Sequence, residues 1–564
     1  MTVITQLNVA YNLLRASIDQ YLAVCSSINQ ANAYGSLPDT VLPELVKCVS
    51  DELVRVRDLG QTLLTARAVL AATRNHVSFI VPISRLPDDI LIHIFQLVTT
   101  EHIGRSHDID GKISHRSLGY PMLLTRVCSR WRRVAMGSTR LWLHIDMPSY
   151  VSCDEVAVAR VKERINRAGK CPLDLHMVEP DIDSHPAPTL ASLVPVSQLL
   201  APISHRIRSL DCKLGKPIRT LQCPESNARR YSLVLSTFLG HTAVGALERL
   251  AINLENVFPG YTSQHYFMEA SESSQSPGTL RVPTGNIVFV STPPDELESL
   301  LFSVSNLELK GLYPRWTSKA YHGLVELRLG AFNGVSIPET DLRAILSSSP
   351  KLRHLDVGLK ITRLSRDLDD SPVLLEELET LVIGQRGLEE LGSFLRFIRP
   401  GSRPLSIYLD KSGKCSSYPD IPRVPFDARI QAFFARANVE TLGIAGTYNY
   451  AQVAELLGLV PRVHVLVLNG LCLGNVQVNA CAAWSNAGVC LGDVYLVRET
   501  TVASHFLVWL IGAYHVRRVL LAEDSKVTRT DCSSVVSFLD EASRLGCSLE
   551  SISSTESYPM QLWD

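Results

Sequence analysis

The sequence predicts an α/β protein in which helical segments precede a long series of short strand and helix units. Three observations support this. Apolar residues follow the three- and four-residue steps of helices over residues 1–80. A second segment, residues 81–147, opens with a proline-initiated helix. From about residue 170 to 560, an apolar pattern typical of short strands recurs, at spacings of 24 to 28 residues from residue 324 to 404 and from 439 to 516.

Composition limits the possible classes of protein. The chain has 564 residues, which is too many for one compact core, and it is 46 % hydrophobic and 20 % charged, as folded proteins usually are. With 55 basic and 56 acidic residues, it has no overall attraction to nucleic acid or membrane surfaces. Thirteen scattered cysteines without metal-ligand spacing indicate reduced thiols. We therefore expect a cytoplasmic and/or nuclear protein without nucleic-acid or membrane partners.

Residues 1–80 carry two amphipathic helical stretches. Apolar residues recur at helical steps from Leu7 to Ile18 and again from Leu45 to Leu70, with the turn sequence Gly-Ser-Leu-Pro between the two stretches. The pattern fits a short coiled hairpin or a helix packed on the next domain. We expect its apolar face to be buried within the chain rather than in a dimer zipper, because it is short for a coiled coil.

Residues 81–147 are predicted to form a small helical module that a polar loop interrupts at 99–120. Its first helix reads LPDDILIHIFQLV over residues 86–98. Pro87 presets the backbone at the helix start, and the two acidic residues after it are favoured by the helix dipole. The helix is apolar on more sides than one buried stripe requires. We therefore expect one of its sides to bind another polypeptide.

The second half of the module contains the sequence VCSRWRRVA at residues 127–135. Val127, Trp131 and Val134 share one helical face, and arginines surround that face. The apolar segment Leu141–Ile145 follows and is expected to close the module.

This order of motifs resembles the F-box. L-P-x-D/E-I-L-x-x-I-F, V-C-x-x-W-R-x-V-A and L-W follow one another within residues 86–142, and the resemblance is to F-box proteins of mushroom-forming basidiomycete fungi. The inserted loop is longer than the family pattern has. The resemblance implies docking on the adaptor subunit of a cullin-based SCF ubiquitin ligase. The family's docking positions fall on Leu86, Pro87, Ile90, Leu91, Ile94, Phe95, Val127 and Trp131.

An L-x-x-L-x-L pattern, with conservative apolar replacements, recurs along the rest of the chain. Clear copies begin at residues 207, 247, 304, 324, 352, 378, 439, 463, 491 and 516, and weaker ones at 172, 404 and 549. Most of the spacings are those of leucine-rich repeats, in which strands and helices bury a continuous core only when stacked. Phe332, Lys360, Arg386 and Leu471 replace the Asn of regular repeats. We therefore predict an irregular leucine-rich-repeat solenoid with a parallel sheet on its concave face.

Polar residues between the core positions of the repeats are predicted to lie on the concave face and to bind a target protein. This set comprises Glu326, Arg328, Arg353, His354, Asp356, Glu379, Arg517 and Arg518. Residues 255–295 are mostly polar, and we expect them to form a long mobile loop inserted into the array.

The sequence has no phosphate-binding glycine loop, nucleophile elbow or H-E-x-x-H motif, so no catalytic residue, metal or cofactor is predicted. The predicted function is that of a non-catalytic substrate-recognition adaptor of an SCF-type cullin ubiquitin ligase, whose repeats bind an unknown target protein. The alternative is a repeat scaffold without a ligase connection. In that case the module would cap the solenoid, and residues 1–80 would cover its apolar helix.

Overall fold

A computed structural model gives the structure of the chain, which divides into two compact units, Met1–Ser138 and Thr139–Asp564. The described residues are 2–33, 42–76, 82–103, 121–149, 155–178, 189–215, 224–254, 265–271, 286–330, 335–362, 371–384, 388–411, 427–446, 448, 450–471, 490–498, 500–522, 525–528 and 542–552.

The first unit is helical. Its helices are α1 (Val3–Ala33), α2 (Leu42–His76), α3 (Asp88–Ile103) and α4 (Ser129–Gly137). The two predicted helical stretches of residues 1–80 are therefore confirmed as α1 and α2. The hydroxyl of Tyr21 on α1 donates a hydrogen bond to Glu52 on α2 at 3.0 Å, which joins the two helices as a hairpin.

The expectation that the apolar face of this hairpin is buried within the chain is wrong. Large apolar side chains along both helices are exposed, among them Leu7, Leu14, Leu53 and Leu64. Helical periodicity indicates which side of a helix is apolar, but it does not show that anything in the same chain packs there.

The predicted loop at 99–120 begins later than expected, because α3 runs on to Ile103. The remaining residues of that loop, 104–120, lie outside the described part of the chain.

The second unit alternates strands and helices. Its helices are α5 (Glu155–Arg167), α6 (Leu190–Leu200), α7 (Pro224–Gly240), α8 (Pro294–Phe302), α9 (Glu339–Ser347), α10 (Leu388–Leu395), α11 (Ala428–Arg436), α12 (Tyr450–Leu459) and α13 (Ser504–Tyr514). Its long sheet contains β1 (His144–Pro148), β2 (Leu173–Val178), β3 (Ile207–Leu214), β4 (Arg249–Leu254), β7 (Asn306–Lys310), β9 (Glu326–Gly330), β11 (His354–Val357), β14 (Thr380–Ile383), β16 (Leu405–Lys411), β17 (Val439–Gly446), β18 (Val465–Asn469), β19 (Asp493–Val497), β21 (Arg518–Ala522) and β23 (Ser548–Ile552).

These 14 strands pair in parallel and in chain order, which is the arrangement of a repeat solenoid. Small parallel sheets flank the long one. They consist of β5 (Tyr266–Ala270), β6 (Ile287–Val290) and β8 (Leu312–Pro314), of β10 (Ser336–Pro338) with β12 (Lys360–Thr362), of β13 (Val373–Leu375) with β15 (Ile398–Pro400), and of β20 (Thr501–Ala503) with β22 (Lys526–Thr528).

Every predicted copy of the apolar pattern coincides with a strand of the long sheet. In the copy that begins at residue 324, Leu324, Leu327 and Leu329 are fully buried, and Glu326 and Arg328 alternate with them on the other side of β9. The helices present buried apolar sides as well, so strands and helices together supply the core. The α/β fold and the irregular leucine-rich-repeat solenoid are thus confirmed.

Two predictions about this unit need correction. The apolar segment expected to close the helical module instead leads into strand β1, whose Ile145 and Met147 pair with Leu175 and Met177 of β2. The segment 255–295 is more than a loop, because it contributes strands β5 and β6 to a small parallel sheet. Of that segment, residues 255–264 and 272–285 lie outside the described part.

A buried ion pair links two repeats of the solenoid, the one that begins with β9 and the one that begins with β14. Arg396, just after α10, donates two hydrogen bonds of 2.7 Å to the two carboxylate oxygens of Glu339 at the start of α9. The Glu339 side chain is only 2 % exposed and that of Arg396 only 17 %. A carboxylate withdrawn from water in this way depends on its cation, because no solvent replaces the lost hydration.

Candidate protein-binding surfaces

The start of α3 and the start of α4 are joined by one arginine. Arg130 donates hydrogen bonds to the carboxylate of Asp88 at 2.7 and 3.0 Å and to the backbone carbonyl of Leu86 at 2.5 Å. Further along the two helices, the rings of Phe95 and Trp131 pack with their centroids 4.8 Å apart. These contacts fix the apolar side chains of both helices within one small module.

The eight predicted docking residues fall into two groups. Leu91 and Phe95 are fully buried, so a partner could not contact them without rearranging the module. The other six remain accessible in whole or in part: Leu86, Pro87, Ile90, Ile94, Val127 and Trp131. We call these six the module surface. Ile90 is 44 % exposed and Val127 55 % exposed, which is high for large aliphatic side chains.

The alternative scaffold hypothesis required residues 1–80 to bury the apolar side of α3. The exposure of Ile90 does not fit that requirement. Sequence analysis also missed three exposed apolar residues of the module, Leu97, Leu123 and Met136. Their exposure could not be predicted from the motifs, because a sequence does not distinguish an exposed apolar residue from a buried one.

The strands of the long sheet carry a second candidate surface, on the side opposite their buried leucines, which we call the open face. Because neighbouring strands pair in parallel, one residue near the middle of each strand lies beside its counterpart on the next strand. Together these residues form a continuous row across the open face, which we call the middle row. In strand order this row is Asp146, His176, Asp211, Ala251, Glu308, Arg328, Asp356, Val382, Tyr408, Gly443, Val467, Tyr495, Leu520 and Glu550.

The middle row divides the open face into two chemically different halves. From β1 to β11 it is almost entirely charged or polar, and we call this part the charged half. From β14 to β23 it is mostly apolar or aromatic, and we call this part the apolar half.

The structure brings only part of the predicted target-binding set together. Glu326, Arg328, His354 and Asp356 are neighbours on the charged half. Arg353 and Glu379 lie immediately before β11 and β14. Arg517 and Arg518 lie at the start of β21, six strands away from β11. The predicted set is therefore not one continuous surface.

Ion pairs within the sheet compensate many of these charges. Arg328 donates a 2.6 Å hydrogen bond to Glu326, which also accepts one of 2.9 Å from Asn306. Arg403 donates a 2.6 Å hydrogen bond to Glu379, and Arg353 lies 4.0 Å from the same carboxylate. A partner that used these side chains would have to offer replacement hydrogen bonds, since an unpaired charge in an interface is costly.

Among the carboxylates of the charged half, Asp356 has the most strongly shifted pKa. Burial raises its pKa to about 6; the nearby Glu308 and Asp410 act in the same direction, and Arg328 opposes them. The folded state therefore keeps a proton that the unfolded chain releases near pH 4.

Because the pKa of Asp356 is higher in the folded state than in the unfolded state, the free energy of unfolding should fall as the pH rises from about 4 through about 6. The variant Asp356→Asn should lose that part of the pH dependence and should be more stable than wild type at pH 7.5 by up to about 2 kcal/mol. Urea midpoints of both proteins at pH 4.5 and 7.5 test this. Equal changes between the two pH values in both proteins would contradict it.

Two histidine–aspartate contacts lie at the first strands of the charged half. His144 Nδ1 lies 3.4 Å from an Asp174 carboxylate oxygen, and His176 Nδ1 lies 3.4 Å from Asp211. Burial lowers the pKa of His144, which favours the neutral ring. Within the described ranges, no three His, Cys, Asp or Glu side chains are grouped as ligands for a metal ion.

The apolar half was not predicted as a surface. Its open side carries a hydrophobic cluster of buried residues: Tyr408, Ala445, Val467, Val497, Leu520 and Ile552. The Tyr408 ring lies across Gly443, where a Cβ atom would overlap it. Beyond that glycine, the amide of Asn469 donates a 2.6 Å hydrogen bond to the Tyr408 hydroxyl. The only sequence signal was that strands such as VLVLN are apolar at successive positions.

Comparisons with known proteins give the following results. No protein-family model matches the sequence, and no curated protein matches it. One similar solved structure is the leucine-rich repeat-containing protein LegL7 from Legionella pneumophila, with 14 % identity, 71 % of this chain and 98 % of that chain covered, and a TM-score of 0.31.

The Rad7 and Elc1 complex in yeast is similar with 10 % identity, coverage of 88 % and 98 %, and a TM-score of 0.33. The mouse RP105/MD-1 complex follows with 13 % identity, coverage of 71 % and 73 %, and a TM-score of 0.22. These superpositions are loose, so the fold class rests on the pairing of the strands. Among the helices of the described residues, none is long and apolar enough to cross a membrane.

Proposed function

We propose that this chain is a non-catalytic substrate-recognition subunit of an SCF-type cullin ubiquitin ligase. The observation that carries the proposal is the module surface, where Ile90 and Val127 remain exposed on helices that Arg130 holds together. Exposed aliphatic side chains on a rigid helical module are typical of a docking site for another protein. The F-box-like order of the motifs supports the adaptor subunit of the ligase as that partner.

In this proposal the chain acts by holding two other proteins together. The module surface binds the ligase adaptor subunit, and the open face of the solenoid binds the target. A lysine of the bound target is then kept close to the conjugating enzyme of the ligase. Such tethering raises the effective concentration of the lysine and replaces a bimolecular encounter with an intramolecular one. No catalytic group of this chain is needed.

The two halves of the open face suggest what a target offers. The charged half presents carboxylates and guanidinium groups that already pair with one another. The apolar half carries the Tyr408 cluster, whose members are already buried, so a target would gain apolar contact there through the partly exposed neighbours Val382 and Tyr495. A target segment with apolar side chains followed by polar ones fits this order.

Capture from cells with the proteasome blocked tests the proposal. Tagged wild-type chain should recover the ligase adaptor subunit, the cullin and ubiquitinated target. The variant Ile90→Asp should recover the same target without the ligase subunits. If wild type and variant recover identical sets of target proteins and neither recovers a ligase subunit, the chain is a repeat scaffold and the proposal is wrong.

A further inference from the structure

The apolar side chains of the N-terminal hairpin differ in exposure according to their side of the helix. Leu14 and Tyr21 on α1 and Val49 and Leu63 on α2 are 37–41 % exposed. They are separated by multiples of seven residues along each helix, and the hydrogen bond between Tyr21 and Glu52 lies on the same sides. We call these four residues the seam, because along it each helix faces the other.

A second apolar row lies beside the seam on each helix. Its six residues are 56–74 % exposed: Ile4, Tyr11, Leu22, Val46, Leu53 and Leu64. Their spacing is identical on both helices, seven residues and then eleven, which keeps the side chains on one side of an α-helix. At about 100° per residue, both rows are rotated from the seam in the same sense. Because the two helices run antiparallel, both rows lie on one side of the hairpin, which we call the hairpin face.

The hairpin face has the size of a stable protein interface. The 31 residues of α1 rise about 1.5 Å each, so the face is about 46 Å long. Two helices side by side are about 20 Å wide, which gives a footprint of roughly 900 Å². Two such footprints make about 1,800 Å², which is within the range of specific and stable interfaces. Since helices depend on packing of their apolar sides, an uncovered face of this size calls for a partner.

The charges of the hairpin are divided between its two ends. The charged residues in the first part of α2 are mostly acidic: Glu44, Lys47, Asp51 and Glu52. Those in its last part are basic: Arg67 and Arg74. α1 adds only Arg15 and Asp19, near its middle. The end at which α1 leads into α2 is therefore acidic, and the opposite end is basic.

We propose that the hairpin face binds the hairpin face of a second copy of this chain, antiparallel, so that the four helices form one bundle. This two-fold arrangement places the acidic end of each copy against the basic end of the other, and each apolar row against an apolar row. Arg15 and Arg57 border the face near its middle. Both are exposed, and their long side chains can extend into solvent at the rim.

The dimer would carry two module surfaces and two solenoids. A target protein with two binding segments would then be held by both copies at once, with higher avidity than either copy provides alone. The proposal does not depend on the ligase role, because the hairpin face and its occupant both belong to this chain.

Sedimentation of the purified full-length chain tests the proposal. Wild type should form a dimer at micromolar concentrations. The variant Leu22→Lys/Leu53→Lys should dimerise at least about ten-fold more weakly, because both lysines would have to lose hydration within the apolar row. Circular dichroism checks that the variant keeps its helices.

The hairpin offers a matched control for this variant. Leu13 and Val54 are 65 % and 55 % exposed, against 56 % for Leu22 and 66 % for Leu53, and they lie on other sides of the two helices. The variant Leu13→Lys/Val54→Lys adds the same charges to the same helices. It should therefore dimerise as wild type does.

Charge variants test whether the occupant is an antiparallel second copy. Arg67→Glu/Arg74→Glu makes both ends of the hairpin acidic, and Glu44→Lys/Asp51→Lys makes both ends basic. Each variant alone should dimerise more weakly than wild type, and an equimolar mixture of the two should form the heterodimer.

Three results would each overturn the proposal. They are a wild-type chain that stays monomeric at tens of micromolar, equal dimerisation of the two lysine variants, and a mixture of the charge variants that forms no heterodimer. A monomeric wild-type chain would mean that another part of the chain or a different protein covers the hairpin face. None of these results bears on capture of the ligase adaptor subunit through the module surface.

Discussion

The double variant Ile90→Asp/Val127→Asp is expected to lose binding to the ligase adaptor subunit by about a hundred-fold or more, since exposed anchors of this kind dominate interface energetics. Both side chains are accessible in the chain alone, so they are free to be covered by a partner. An aspartate at either position would have to lose its hydration on binding without gaining a partner cation. Titration of purified adaptor subunit into wild-type and variant chain measures the difference.

The chain offers closely matched controls for this prediction. Val54 on α2 is 55 % exposed, as Val127 is, and Leu59 on the same helix is 47 % exposed. The variant Val54→Asp/Leu59→Asp therefore adds the same charges at equally exposed aliphatic positions outside the module. It should bind the adaptor subunit as wild type does. Equal loss in both double variants would mean that the module surface has no special role.

Among the proposed substitutions, Arg396→Ala is expected to lower the free energy of unfolding the most. In Arg396→Ala the nearly buried Glu339 carboxylate would keep its charge without its cation. Breaking a buried pair in this way costs about 3–5 kcal/mol. Because repeat arrays depend on contacts between neighbours, the loss should appear first around α9 and α10. Hydrogen exchange of those helices and urea denaturation of the whole chain measure it.

An exposed pair on the long sheet supplies the comparison. Arg518 donates hydrogen bonds of 2.7 and 2.8 Å to Asp493, but its side chain is 48 % exposed. Arg518→Ala should lower the free energy of unfolding far less than Arg396→Ala does, because water replaces the exposed pair. Glu339→Leu/Arg396→Met should lie within about 1 kcal/mol of wild type, since both charges are removed together. A cost for Arg396→Ala no larger than that for Arg518→Ala would contradict this account of the buried pair.

The repeats could be predicted from the sequence because their signal is local. Leu327 and Leu329 alternate with charged residues over a short strand, and from residue 324 to 404 the pattern returns every 26 to 28 residues. Each strand has only one way to bury such residues, so the pattern determines which side faces the core. The same reasoning located every strand of the long sheet except β1.

Other elements could not be predicted because their stability comes from distant neighbours. Ile145 and Met147 look like the end of the helical module until β2 is available to pair with them. Strand β5 lies between polar stretches of the sequence, and it is stabilised by pairing with β6 and β8. The pattern of a short strand is weak, and tertiary pairing decides whether it forms.

The candidate surfaces were predicted in part for a similar reason. Motif order placed all eight docking residues on one small module, but only the structure separates the buried Leu91 and Phe95 from the accessible six. On the open face, charged residues between leucines were an obvious signal. Val467 was not, because in VLVLN the residues of both faces are apolar and the pattern cannot tell a surface from a core.

Titration of the purified ligase adaptor subunit into the purified wild-type chain tests the central claim most directly. The account predicts saturable binding of one adaptor subunit per chain, lost in Ile90→Asp/Val127→Asp and retained in Val54→Asp/Leu59→Asp. Absence of binding to the folded wild-type chain at adaptor concentrations of tens of micromolar would contradict the claim.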